Sequence, residues 1–269
     1  MAERVLVTGG SSGIGEAAVE RLLSEGFEVW ATARSAEDRD ALDDRGARAI
    51  GLDLREPREI QTLAAEVGSE PLDGLVHNAG IGVPGAVEDL DREAWLEQLE
   101  VNVVGPATLT RALAGALRDA EGRVVMVSSL AARTQVPFYG AYGASKAALE
   151  AAAATLRTEI GPAGVDVSLV QPGPVATGFQ ARSRELLAEH VDVEESPHRE
   201  SYERVAEAIL ERLPAVTADD VAAAIERCLT ARRAPTRVPV GRLASLGTRA
   251  LGWLPDRTQD RILRWLFVD

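Results

Sequence analysis

Few folds accommodate the opening of this chain. A short apolar run, Arg4-Val5-Leu6-Val7, passes without a linker into Thr8-Gly9-Gly10-Ser11-Ser12-Gly13-Ile14-Gly15 and then into an amphipathic stretch reaching about Ser24. The run reads as a buried strand and the stretch as a helix. Glycines at 9, 13 and 15 let the backbone turn tightly and approach a phosphate, whose charge is favoured by the free N–H groups at a helix start. A glycine-rich turn alone is weak evidence. Set between a strand and a helix, it predicts a nucleotide site rather than a plain connection.

The unit then repeats. Phe27 to Thr32 reads as a second strand, Ala36 to about Arg45 as a polar helix, and Ala47 to Leu52 as a strand ending in Asp53. A helix near Glu56 to Val67 and a strand at Gly74 to His77 follow. A long helical pattern from about Arg92 to Arg118 is interrupted at Asn102-Val103-Val104-Gly105-Pro106, where proline and glycine predict a kink and Asn102 could line a cavity. Strands at Arg123 to Val127, Val165 to Val170 and Thr236 to Val240 complete the pattern, with a helix at Ala218 to Ala231. Such alternation predicts an α/β chain: a single-domain, Rossmann-type, doubly wound parallel sheet of about seven strands with helices on both faces. No repeat, linker or low-complexity tract divides it, so residues 1–269 are read as one domain.

Ligands of these sheets lie at the carboxyl ends of the strands. That places Asp53, Asn78-Ala79-Gly80, Ser128-Ser129 and the rigid turn Gln171-Pro172-Gly173-Pro174-Val175-Ala176-Thr177 at one edge. The acid that commonly takes a ribose 2′-hydroxyl after the second strand is absent, and Arg34 stands there instead. An arginine at that point suits a 2′-phosphate, so NADP(H) is the preferred cofactor and NAD(H) the alternative, with Ser11 and Ser12 as further phosphate donors.

Of the 29 basic residues a single one, Lys146, is a lysine, and it follows Tyr142 by four residues in Tyr142-Gly143-Ala144-Ser145-Lys146. On a helix that spacing stacks both side chains on one face. An ammonium near a phenol favours the phenolate and would make it a proton donor and acceptor near neutral pH. An amphipathic tyrosine beside a solvated lysine fits these five residues equally well. His77 reads as a core histidine rather than a catalytic one. His190 and His198 show no metal-ligand spacing, and no metal site is expected.

A formal net charge of -13 argues against nucleic acid as a partner. One cysteine, Cys228, fits a reducing compartment, and no apolar run reaches transmembrane length, so the expected location is cytoplasmic, without membrane contact. From 178 to 217 the alternation stops, and this charged segment is a candidate lid over the substrate or a plain surface excursion. The tail from 243 to 269 is amphipathic, carrying Trp253, Leu254, Ile262, Leu263, Trp265 and Phe267 among arginines. The alanine-rich stretch from Ala147 to Thr158 would pack against another helix, within the chain or in a partner subunit.

Taken together, the Thr8 to Gly15 turn, Asn78-Ala79-Gly80, Asn102 between valines, Ser129 ahead of Tyr142, the Tyr142 and Lys146 pair and the Pro172-Gly173 turn ending in Thr177 resemble the short-chain dehydrogenase/reductase family. The resemblance covers about Arg4 to Thr177, and one departure is His77 where the family often has asparagine. It implies an oxidoreductase with Tyr142 as acid/base and Lys146 lowering the pKa of Tyr142 and holding the nicotinamide ribose. Ser129 would bind the substrate oxygen, and Asn102 would order a water that links Lys146 to solvent. It also implies Gly9, Ser11, Ser12, Gly13, Ile14 and Gly15 around the pyrophosphate, Asp53 and Leu54 beside the adenine, and Asn78, Ala79 and Gly80 along the adenosine. Val175 and Thr177, after Pro172-Gly173, would hold the carboxamide. Ala31-Thr32-Ala33-Arg34, the insertion and the tail are similar to the hydroxysteroid and retinol dehydrogenase branch, which implies a lipophilic small-molecule substrate. A homodimer or homotetramer is expected by the same likeness. The competing reading is a nucleotide sensor that kept the fold and lost the chemistry.

Overall fold

Short aliphatic runs decide the centre of the molecule. In a computed structural model describing residues 2–207, 215–241 and 254–267, the first strand, β1 (Arg4–Val7), turns Val5 and Val7 into one core and Leu6 into another. A strand's period of two requires this. In β5 (Arg123–Val127) the same rule sends Val125 and Val127 one way and Val124 and Met126 the other. With β2 (Glu28–Ala33), β3 (Arg48–Gly51), β4 (Gly74–His77), β6 (Asp166–Pro172) and β7 (Arg237–Val240) they form a seven-stranded sheet. Its order is β3-β2-β1-β4-β5-β6-β7, and every neighbouring pair is parallel. Strand order reverses between β1 and β4, which opens a crevice at their carboxyl ends.

Helices cover both faces. On one side α1 (Gly13–Ser24), α2 (Ala36–Asp44) and α9 (Ala218–Thr230) bury Ala18, Val19 and Leu22, Leu42, and Val221, Ile225 and Leu229 against the valines of the sheet. Arg21 of α1 pairs with Glu226 of α9 over that contact. On the other side α3 (Pro57–Val67), α5 (Gly105–Asp119) and α6 (Gly140–Ile160) supply Ile60, Leu63, Leu109, Leu113, Leu117 and Leu149. Capping fixes the helix starts: Ser35 accepts from the Asp38 N–H, and Thr217 forms a reciprocal capping box with Asp220.

The kinked helix is three pieces. Between α4 (Arg92–Leu99) and α5 the chain makes a π-helical turn over Glu100–Val104, with the Gly105 N–H donating to the Glu100 carbonyl. Pro106 has no N–H to return to the Asn102 carbonyl, which favours the wider turn.

A third core lies outside the sheet. Helices α7 (Phe179–His190) and α8 (Arg199–Glu207) bring Leu186, Val191, Tyr202 and Val205 over Val83, Leu90, Phe138 and Ala141. The 178–217 segment is helical in this part, while 208–214 lie outside the described residues. Of the tail, 243–253, including Trp253, and 268–269 lie outside the described residues. Its helix, Asp256–Phe267, places Leu263 in the third core and leaves Trp265 exposed. Among the described residues, no helix is long and apolar enough to cross a membrane.

Candidate active site

The glycine turn is built for close approach. Gly9 and Gly13 hold φ of 65° and 54°, a region side-chain-bearing residues rarely enter. A Cβ on Gly15 would stand 1.9 Å from the Gly9 carbonyl oxygen, so Gly15 folds the turn and does not line the cavity. Thr32 fastens the turn to β2, its hydroxyl accepting from Gly9 N at 3.1 Å and its carbonyl from Gly10 N at 2.9 Å. Asn78 braces it from β4, its amide donating to the carbonyls of Thr8 at 3.1 Å and Gly9 at 2.9 Å. The α1 N-terminus has no side-chain cap from Ser12. Its N–H groups and the hydroxyls of Ser11 and Ser12 are therefore a donor set for an anion, in a cradle that added Cβ atoms would fill. The residues present fit a pyrophosphate.

A cavity of about 550 Å³ follows the carboxyl edge of the sheet. Its wall includes Gly9, Ser11, Ser12, Gly13, Ile14, Arg34, Asp53, Leu54, Asn78, Ala79 and Gly80. It also includes Ser129, Tyr142, Lys146, Pro172, Gly173, Val175 and Thr177. The expected site residues are thus brought together, apart from Gly15 and Asn102.

Asn102 does not line the cavity, contrary to the reading of the kink. It is 1% exposed, and its side chain is engaged throughout: Oδ1 accepts from Ile81 N at 2.9 Å, and Nδ2 donates to Ile81 O at 2.8 Å and Ser145 Oγ at 2.9 Å. Ser145 Oγ in turn donates to the Tyr142 carbonyl at 2.7 Å. Asn102 therefore ties the loop after β4 to the helix that carries Tyr142 and Lys146.

Electrostatics also depart from the expected acidified phenol. Burial pushes Tyr142 up to about 12, with the Ser129 hydroxyl opposing the shift and Tyr139 adding to it. Lys146 does not bring it down. Its ammonium is 5.9 Å from the phenol ring centroid and donates to the Val127 carbonyl at 3.0 Å, and burial pushes its own pKa down to about 8. A buried amine committed to the Val127 carbonyl is a weaker neighbour than the bare spacing implied.

Asp53 is held by Arg55 through a two-pronged contact of 2.7 to 3.2 Å, which lowers its pKa, and Arg55 reaches Glu97 at 2.9 Å. Arg34 is exposed at the same end, its carbonyl accepting from Arg39 Nη1 at 2.8 Å. Sequence reasoning missed Arg55 and also the aromatic wall. Phe179 lies 5.7 Å from the Tyr142 ring, and Tyr139 meets Tyr142 edge-on at 6.2 Å. The signal for Phe179 was available, since it follows Thr177 by two residues. His77 is buried, with Nε2 sharing a 2.7 Å hydrogen bond with Thr110 Oγ1 and Nδ1 without a partner. No group of acids, histidines and cysteine among the described residues could hold a metal.

A parallel sheet with a glycine cradle at its switch point and a tyrosine, serine and lysine in one cavity wall defines a nucleotide-dependent oxidoreductase. The chain belongs to the short-chain dehydrogenase family, which matches residues 3–188 and acts on CH–OH and C=O groups. Retinol dehydrogenase 5 of Mus musculus is 32% identical over 280 residues, covering 97% of this chain and 88% of that protein. A short-chain dehydrogenase from Streptomyces avermitilis has a TM-score of 0.81 at 31% identity, over 98% of this chain and 96% of that one. Actinorhodin polyketide ketoreductase, solved with NADPH, has a TM-score of 0.75 at 29% identity, over 90% and 97%.

Proposed function

We propose that the protein is an NADP(H)-dependent carbonyl reductase, or alcohol dehydrogenase in reverse, acting on a lipophilic ketone, aldehyde or secondary alcohol. The observation that carries this reading is the meeting of Ser129, Tyr142 and Lys146 in one cavity wall with the glycine cradle and Arg34. The nicotinamide supplies or accepts the hydride. Tyr142 gives its proton to the carbonyl oxygen. The phenol, its pKa raised further by burial, is protonated at neutral pH, the form the reducing direction needs. Ser129 hydrogen-bonds that oxygen as negative charge grows on it.

Lys146 would hold the nicotinamide ribose, and Val175 and Thr177 the carboxamide. Gly9, Ser11, Ser12, Gly13 and Ile14 would hold the pyrophosphate, with Gly15 setting the turn. Asp53 and Leu54 would flank the adenine, and Asn78, Ala79 and Gly80 would line the adenosine. Asn102 positions these groups rather than touching them. Arg34 would take the 2′-phosphate, and a solved relative carries NADPH. Asp38 lines the same end of the cavity and is the observation that favours NAD(H).

Ile81, Leu130, Ala131, Val136, Tyr139 and Phe179 form an uncharged part of the remaining wall and support an apolar substrate, with Arg182 and Ser183 of α7 adding polar groups to that wall. Similarity to a retinol dehydrogenase agrees with it. The α7 and α8 segment would be the substrate lid.

A panel of ketones, aldehydes and secondary alcohols assayed with both nicotinamide cofactors tests the reading, with Tyr142→Phe as the control. Turnover should fall by about a thousandfold or more in that variant while NADPH still binds. A sensor would respond unchanged. In Arg34→Ala the KM for NADPH should rise about tenfold and that for NADH should not; equal values would remove the NADP(H) preference.

A further inference from the structure

Glu150 lies on α6 one turn beyond Lys146, where an acid on an alanine-rich helix would ordinarily face water. Here it is buried, 6% exposed. Its Oε1 accepts from Ser128 Oγ at 2.9 Å and Gln171 Nε2 at 2.5 Å. Its Oε2 accepts from Arg237 Nη1 and, at 3.4 Å, from Arg133 Nε. A buried carboxylate persists only when its lone pairs are matched by donors and its charge by a cation. Glu150 has both, and none of its partners is on its own helix.

The partners are what give the contact a consequence. Ser128 immediately precedes Ser129 at the end of β5, and Gln171 precedes the Pro172-Gly173 turn on β6. Arg237 opens β7, and Arg133 follows the short turn after Ser129. Glu150 shares α6 with Tyr142 and Lys146. One carboxylate thus joins the segments that carry Ser129, Tyr142, Lys146 and the Pro172-Gly173 turn, while it stands outside the cavity wall itself.

We propose that Glu150 is a positioning residue, whose carboxylate sets the spacing between Ser129, just beyond β5, and the Tyr142 and Lys146 pair on α6. The inference rests on the catalytic reading of those three residues. Misplacing reacting groups by about 1 Å can cost on the order of a hundredfold in rate, so the contact should be visible in kcat.

Removing Glu150 alone would leave Arg237 unpaired against a buried site and could unfold the chain. The decisive comparison is between Glu150→Gln with Arg237→Met and Glu150→Met with Arg237→Met in the full-length protein. Both lack the ion pair; only the glutamine can still accept from Ser128. With the best carbonyl of the panel as probe, the glutamine pair should keep kcat within about threefold of wild type. The methionine pair should lose about 10- to 100-fold in kcat, with the NADPH Kd within about threefold in both. Hydrogen exchange is the second readout: amides of 128–131 and 141–146 should exchange faster in the methionine pair, with β1 and β2 unchanged. Equal kcat and equal exchange in the two doubles would overturn the proposal. Loosening spread over the whole sheet would do so too. If the wild type reduces no carbonyl of the panel, the functional reading fails by itself, and the exchange contrast still decides whether Glu150 sets the spacing.

Discussion

Lys146 is 4% exposed, and burial brings its pKa from 10.5 to about 8. The charged form is therefore disfavoured by the fold. The opposition to folding is complete below pH 8 and absent above 10.5, so this site's contribution to stability improves as pH rises between the two. At pH 7 the penalty is on the order of 3 kcal/mol, from burial of the ammonium. Lys146→Met should then be more stable than wild type at pH 7 and inactive, with the difference in unfolding free energy shrinking by pH 9.5. Tyr142, raised from 10.0 to about 12, loses its contribution only between those values and leaves this window clear. Urea melts at the two pH values measure it; a gap that does not narrow would refute the account. The Tyr142 and Lys146 pair was legible because one lysine in the chain makes its position informative. The electrostatics were not, because spacing along a helix says nothing of burial or of the Val127 carbonyl. Glu150 was invisible for the same reason: its partners Ser128 and Arg237 lie 22 and 87 residues away.

At the scale of elements, the π turn over Glu100–Val104 aims Asn102 inward at Ile81 and Ser145. Asn102→Ala would strip both Ile81 backbone groups of their partner in a part-buried setting, which costs about 1–3 kcal/mol. Equilibrium urea denaturation should show that loss. Unchanged stability with lowered turnover would instead favour the water-ordering role that the family resemblance implies. The strands, and the helices between them up to α6 together with α9, were readable to within a residue or two, because period-two and helical apolar spacing alternate there; β4 and β5 fall on Gly74–His77 and Arg123–Val127 as expected, while α7 and α8 had no bounds in the sequence. The kink was readable from Gly105 and Pro106. Its direction was not, since a wider turn rotates every side chain that follows and local sequence does not fix the angle.

For the whole molecule, the useful division is between the two cores that clamp the sheet and the third beneath α7 and α8. Phe138 links that third core to the site. It holds φ of 63°, unusual for a bulky residue, packs edge-on against Tyr202 at 4.8 Å, and leads within four residues to Tyr142. If the roof is a separate unit of stability, damage to it should stay local. Leu186, fully buried there, and Leu113, fully buried under the sheet, make a matched test. Leu113→Ala should lower global stability by about 2–5 kcal/mol. Leu186→Ala should leave the global denaturation midpoint nearly unchanged, speed amide exchange across 179–205, and raise KM for apolar carbonyls while NADPH affinity holds. Equal global losses in the two variants would mean that α7 and α8 are one body with the sheet, and a lid that opens independently of it would have no physical basis.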